Sequence, residues 1–278
     1  MPSSRLPGLY MPAGTIRSPL KAAPLREPGQ SLRDVTIDLL MGRLLPSLWL
    51  VSIAWVLVLQ AWMARVLGWH LSLQAGTLVA LSLSALCAFQ FYFVSNRVQA
   101  LQLGRDGERL VGEFLEQQLI PQGARVVHDV PADGFNLDHV IVAPQGVFVI
   151  ETKTRTKPRH RDARVTFAED GLLIAGYAPD RDPIRQVRGC CRWLSELLAE
   201  STGQAVHVRG AVVFPGWFIE PMTRQWLNAG HPWVLEPKSL PAFLAREPPV
   251  LSEREVAMFS SHLSRYVRTC QDAERKKS

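Results

Sequence analysis

The sequence predicts an α/β domain, a mixed sheet flanked by helices, carried behind an N-terminal helical hairpin long enough to cross a membrane. Three observations lead there. Two consecutive runs, 44–64 and 71–95, contain no charged residue. From about residue 100 to 220, β-branched runs bounded by Pro, Gly, Asn and Asp alternate with segments of helical periodicity. Finally, 278 residues with 47% hydrophobic and 20% charged content supply a real core, which excludes a disordered or collagen-like chain.

Residues 1–43 hold six prolines by Pro28, scattered arginines and no apolar run. They predict a disordered Pro-rich tail, ending in a short amphipathic stretch from about Leu32 to Leu45. The first long apolar segment begins too late for a signal peptide. At about 1.5 Å per residue the two charge-free runs reach roughly 31 and 37 Å, against a hydrocarbon core of about 30 Å. Arg65–His70 leave room only for a tight connection, so 44–95 read as a transmembrane helical hairpin. Arg26, Arg33 and Arg43 precede it, Arg97, Arg105 and Arg109 follow it, and Arg65 alone lies between. By the positive-inside rule both termini and the soluble domain face the cytoplasm, as in a multi-pass protein of the inner membrane. Trp55, Trp62 and Trp69 form a seven-residue stripe suited to helix packing or to the membrane interface.

The net charge of +6 says little about partners once it is located. Residues 1–96 carry seven Lys+Arg and three Asp+Glu, leaving 24 against 22 in the rest. Four cysteines, with no paired spacing beyond the adjacent Cys190 and Cys191, exclude a disulfide scaffold and a CxxC zinc site.

In the domain, GRDGERLVGEFLEQQL has helical periodicity with Val111, Leu115 and Leu119 on one face. ARVVHDV, LDHVIVA and GVFVIETK read as strands, followed by the weaker pair ARVTFAED and LLIAGY. Asp182 is an N-cap with Pro183 at the first helical position, and VHVRGAVVFP is a further buried strand. The remainder, 221–278, predicts a C-terminal helical extension whose last helix opens on a Ser252/Glu255 capping box.

Chemistry concentrates in LDHVIVAPQGVFVIETK. Glu151 and Lys153 share a strand face. With two or four residues in the turn, Asp138 falls directly opposite Glu151; with three it falls on the wrong face. Pro144 suits a type I turn and a four-residue loop. Two adjacent carboxylates repel, and Mg²⁺ or Mn²⁺ relieves that repulsion with oxygen ligands; a structural ion pair is the plain alternative. Glu108 points with the apolar face of its helix, where an acid needs a partner. Gln186 lies one turn into the later helix. Six Lys+Arg between Lys153 and Arg164, among them Arg155, Lys157, Arg159 and Arg161, could follow a phosphate backbone. His128 and His139 have no partner at ligand spacing, and Cys190 and Cys191 suit core packing.

The run GRDGERLVGEFL, NLDHVIVAPQGVFVIETKT, DPIRQVRGCCRWL, VRGAVVFP resembles the nuclease-related domain (NERD) family, which is similar to nucleases of the restriction-endonuclease-like PD-(D/E)xK fold. The resemblance covers 104–214 within a domain of about 100–220. It implies that Glu108 is the helical acid, that Asp138 and Glu151 are metal carboxylates, that Lys153 is the catalytic lysine, and that Gln186 is the glutamine of the later helix. It further implies a Mg²⁺- or Mn²⁺-dependent endonuclease acting on DNA, with no small-molecule cofactor. A non-catalytic nucleic-acid-binding module and a membrane scaffold for protein partners are the alternatives.

Overall fold

A computed structural model describes residues 25–66, 68, 73–157, 163–168, 171–228 and 230–276. Of the expected Pro-rich tail, 1–24 lie outside the described residues. From residue 25 the described chain leads directly into the first helix. Helix α1 spans Gln30–Leu39, passes through a π-helical stretch at Leu40–Leu44, and continues as α2, Leu45–Val66. The amphipathic stretch expected near Leu32–Leu45 thus forms as helix.

Helix α3, Leu73–Leu119, is continuous where the sequence predicts two separate helices. No proline interrupts it before Pro121, so the apolar run and the amphipathic run join into one rod of about 70 Å. Its two halves meet different surroundings. In the first half Leu78, Phe89, Tyr92 and Phe93 are exposed, while in the second Val111, Leu115 and Leu119 are buried. Among the described residues, two helices are long and apolar enough to cross a membrane. Trp55 Nε1 donates to Ser84 Oγ at 3.0 Å, joining α2 to α3, whereas Trp62 faces outward. Trp69 lies outside the described residues.

The main sheet has the strand order β1-β2-β3-β6-β8, with β1 at Arg125–Ala132, β2 at Phe135–Ala143, β3 at Gly146–Thr152, β6 at Val208–Val213 and β8 at Trp233–Leu235. The first three strands run antiparallel, while β6 and β8 run parallel to β3, so the sheet is mixed. Every residue of β3 is buried, as expected of a central strand covered on both faces. Val111 and Leu115 of α3 pack with Ile141, Phe148 and Ile150 on one face. On the other, Val187, Cys190 and Leu194 of α4 (Pro183–Thr202) and Phe259 and Leu263 of α7 (Glu253–Arg275) meet Val140, Val142, Val147 and Val149. Each fully buried aliphatic side chain stabilises the fold by about 1.5–3 kcal/mol.

Between β3 and α4 a small sheet is formed by β4 (Arg164–Ala168) and β5 (Gly171–Ile174), joined in parallel by β7 (Phe218–Ile219). The region after 221 is more than a helical extension. It contains α5 (Arg224–Asn228), α6 (Leu240–Leu244) and the fifth strand of the main sheet. β8 is only three residues long, too short for a readable alternation. The capping box forms as expected: Ser252 Oγ accepts from Glu255 N, and Glu255 accepts from Ser252 N.

Candidate active site

Strands β2 and β3 close with Ala143 opposite Gly146, leaving two residues, Pro144 and Gln145, in the loop instead of four. The parity is unchanged, and continuing the register past His139↔Ile150 sets Asp138 opposite Glu151. Asp138 Oδ2 accepts a hydrogen bond from Thr152 N at 2.6 Å. Lys153 leaves the end of β3 with its N–H bonded to Val213 O of β6 at 2.9 Å, which fixes where its side chain begins.

Gln186 arrives from the other side of this sheet end. Asp182 caps α4 by accepting from Ile184 N at 2.9 Å, and Gln186 N bonds back to Asp182 O. Glu151 Oε1 then receives Lys153 Nζ and Gln186 Nε2, each at 2.6 Å, while Lys153 Nζ also donates to Gln186 Oε1 at 3.0 Å. The three side chains form a closed triangle. Glu151 is only 2% exposed, and its second oxygen, Oε2, is buried with no partner among the described residues.

Glu108 reaches the same neighbourhood from α3 without a hydrogen bond to the triangle. The close approach of α3 depends on Gly107, where a Cβ would fall 1.7 Å from Thr154 Oγ1. Burial, then the charges of Asp129 and Glu151, push the Glu108 carboxyl up to about 8 from an ordinary 4.5. Asp138 is pushed well above the carboxylate range by burial first and then by Glu151 and Glu108, against the opposing hydrogen bond from Thr152. Carboxylates raised in this way are crowded by one another.

Asp129 belongs to this end of the sheet and was not singled out in the sequence. It sits between the pairs His128↔His139 and Val130↔Leu137, hence across from Asp138, in a left-handed backbone conformation with φ of 47°. Its carboxylate is 2% exposed and fully occupied. It accepts from Arg26 Nη1 (3.1 Å), Ser31 N (3.0 Å), Ser31 Oγ (2.8 Å) and Asn136 Nδ2 (2.9 Å). Arg26 also bridges to Glu274 of α7. Residues 26–31 therefore bolt the start of α1 onto the domain. An Asp amid β-branched residues in ARVVHDV was the available signal, whereas nothing local marked Arg26 as its partner.

Arg155 and Lys157 are exposed on the segment leaving β3, held against the turn before β7 by Trp217 Nε1 donating to Arg155 O at 3.3 Å. Arg159 and Arg161 lie outside the described residues. His128 and His139 face α3 and pair with each other, Nδ1 to Nδ1 at 2.9 Å. Burial raises the thiols of Cys190 and Cys191 to about 12, which keeps them protonated and suits packing.

Among the described residues no three His, Cys, Asp or Glu side chains gather as a metal site. The donors available to a cation are two carboxylates, Asp138 and Glu151. That set fits Mg²⁺, which is commonly held by one or two carboxylates and otherwise by water. The orphaned Glu151 Oε2 is a buried acceptor awaiting a positive partner.

The family model described as NERD, nuclease-related domain, matches residues 103–215. No curated protein matches the chain. Among solved structures, one of Pyrococcus furiosus SfsA in complex with Ca²⁺ is similar at 19% identity and a TM-score of 0.25, over 48% of this chain. The match spans 55% of that protein's length.

Proposed function

We propose that the chain, whose residues 103–215 match the nuclease-related domain model, hydrolyses DNA phosphodiesters with a divalent cation at Asp138 and Glu151, tethered to a membrane by α2 and the first half of α3. One observation carries this reading. Glu151 is buried with one oxygen shared by Lys153 and Gln186 and the other unpartnered, beside a second raised carboxyl, Asp138. A structural Glu–Lys ion pair accounts for Oε1 alone. It leaves Oε2 as a buried acceptor without a partner among the described residues, which is costly, and gives no account of the raised, half-buried carboxyls of Asp138 and Glu108.

Asp138 and Glu151 would hold the Mg²⁺ or Mn²⁺, which when bound supplies Lewis-acid polarisation of a phosphate oxygen and lowers the pKa of water. The remaining chemistry belongs to side chains. Lys153 has three N–H donors and uses two, on Glu151 and Gln186, so one is left for charge developing on the phosphate. Gln186 holds the ammonium and Glu151 together through both ends of its amide. Glu108, raised to about 8, carries a proton at neutral pH until positive charge nearby draws it off. Arg155 and Lys157, with Arg159 and Arg161, would neutralise the DNA backbone next to the site.

The apolar exteriors of α2 and the first half of α3 support the tether, and the arginine flanks support termini in the cytoplasm at the inner membrane. Reporter fusions at the N-terminus, at the 65–70 turn and at the C-terminus test that; an external C-terminus would end it.

The activity is tested with the full chain in detergent or nanodiscs, on labelled duplex, single-stranded and junction DNA, with Mg²⁺ or Mn²⁺ and with EDTA. Cation-dependent cleavage is the expected result. Binding without cleavage under every cation would move the reading to a nucleic-acid-binding module, and absence of binding to a scaffold for protein partners.

A further inference from the structure

A cavity of about 410 Å³ opens at the edge of the main sheet, between α4, the start of β6 and the loop leading into β8. It shares no residue with the carboxylate cluster. Val212 of β6 pairs with Glu151, and the cavity begins two to four residues earlier on that strand, roughly 7–13 Å away.

The sheet edge here is incomplete. Phe214 N donates to Leu235 O, so the even-numbered residues of β6 turn their backbone groups toward β8. β8 pairs only with Ala211–Val213, and the backbone groups of Val208 face the cavity with no strand beside them. Helix α4 is drawn close at this level because position 210 is glycine. A Cβ there would come within 3.0 Å of Cys191 Sγ and of Val187. The close approach brings Arg188 to the rim.

Around the cavity stand Arg188, His207, Arg209 and His231, against one acid, Glu247. Glu247 is already engaged, its Oε1 accepting from Arg209 Nη1 at 2.6 Å, and Arg209 is held over the Trp233 ring. Arg188 Nη2 lies 2.6 Å from His231 Nδ1. A guanidinium can only donate, so Nδ1 accepts and the neutral ring carries its proton on Nε2. Stacking on Trp226, centroids 4.3 Å apart and planes at 23°, holds that ring in place. The Nε2–H has no acceptor, and Arg188 no carboxylate, among the described residues. Donors with capacity to spare, Arg188 and the held His231 ring, beside an acid already paired with Arg209, suit an anion with several acceptor oxygens.

We propose that this cavity binds a phosphate group, free or carried by a monoester, with Arg188 and His231 as the principal donors. The volume exceeds that of phosphate alone and reaches the size of small-molecule sites, so a nucleoside monophosphate also fits. The site is independent of a cation at Asp138 and Glu151.

The test titrates the full chain in detergent, in EDTA and at constant ionic strength, with inorganic phosphate and separately with AMP, followed by ³¹P NMR and calorimetry. Saturable binding is expected, weakened about tenfold or more by Arg188→Gln and by His231→Gln, as loss of a charge-assisted hydrogen bond predicts. Arg188→Lys, which keeps the charge and loses the fork, retains part of the affinity. AMP binding tighter than phosphate identifies a nucleotide as the source, and equal affinities identify free phosphate. Asp138→Asn leaves the titration unchanged, so failure of the nuclease reading and failure of this one are separable. Absence of saturable binding, or both glutamine variants binding like wild type with unchanged circular dichroism, overturns the proposal.

Discussion

Asp138 and His139 are neighbours on β2, point to opposite faces, and enter two buried polar groups that settle their charge differently. On the α3 face the histidine pair can be neutral throughout. Burial lowers both rings below the ordinary histidine range, for His139 well below it. His128 Nε2, 3.1 Å from Glu116 Oε1, can donate there and accept at Nδ1 from His139. Choosing tautomers keeps both rings uncharged, although His139 Nε2 stays buried with no partner among the described residues. On the α4 face Asp138 and Glu151, with Glu108 reaching their neighbourhood from α3, have no such freedom, since carboxylates only accept unless protonated. One ammonium and one amide serve a single oxygen of Glu151. A buried pair that can stay uncharged belongs to the scaffold, even with His139 Nε2 unpartnered among the described residues, whereas crowded carboxylates left short of positive charge are a place for a ligand.

The contrast breaks most visibly in activity. Asp138→Asn or Glu151→Gln should lower Mg²⁺-dependent cleavage by about 10²–10³-fold or more while DNA affinity stays level or rises. His128→Leu with His139→Leu should leave the rate essentially intact. Lys153→Ala should also stop turnover yet preserve metal binding, read by calorimetric titration with Mn²⁺. Equal loss from the acid and the histidine variants would erase the distinction between the two groups.

Stability offers a second measure. His139→Leu alone should cost about 1–3 kcal/mol, because it leaves His128 Nδ1 buried without its partner; the double leucine variant should recover much of this. Urea denaturation of the four combinations would decide it. No coupling between the two positions would mean that the rings do not form a unit.

DNA affinity should respond to charges outside both groups. Replacing Arg155 and Lys157 with glutamine should reduce the slope of log affinity against log salt by about 1.8 on duplex DNA, leaving metal affinity unaltered. An unchanged slope would remove that segment from the DNA path.

The smallest effect is a pH dependence. Glu108 rises from 4.5 to about 8 on folding, so the unfolded chain gives up its proton first. The resulting stability is fully present below about pH 4.5 and is lost as pH climbs through about 8. Metal-free protein should therefore lose thermal stability across that window. Glu108→Gln should flatten the loss by a few degrees, at about 2–4 °C per kcal/mol for a chain of this size. A wild-type curve that rises with pH toward 8 would contradict the crowding of acids at this site.

Much of the site was readable because its parts are local. Alternation puts Glu151 and Lys153 on one face, hairpin parity brings Asp138 across, and the Asp182 cap sets the turn that carries Gln186. The two-residue loop differs from the expected four, yet even parity alone decides the face. Less readable were features joining distant residues. Asp129 is bonded to Arg26 and to Ser31, about a hundred positions earlier, and no period or motif links them. The histidine partners are eleven residues apart in sequence, a spacing with no meaning until the β1–β2 register makes them opposite. β8 escaped notice because a three-residue strand, in a run of four residues between prolines, carries no pattern.

Sequence alone determined what depends on neighbours within a few residues: helix caps, strand alternation and the charge-free runs, while Pro144 favoured an even register of the central hairpin without fixing it. These follow from backbone geometry and from the cost of placing charge in an apolar environment, both of which act locally. Tertiary structure decided the rest. It chose which sheet face α3 would cover, brought Gln186 onto Glu151, filled the Asp129 carboxylate from Arg26 and the first turn of α1, and left Glu151 Oε2 without a partner among the described residues. Burial is the physical reason. Whether a carboxylate is satisfied or wanting depends on every element packed around it, and only the assembled fold brings those elements together.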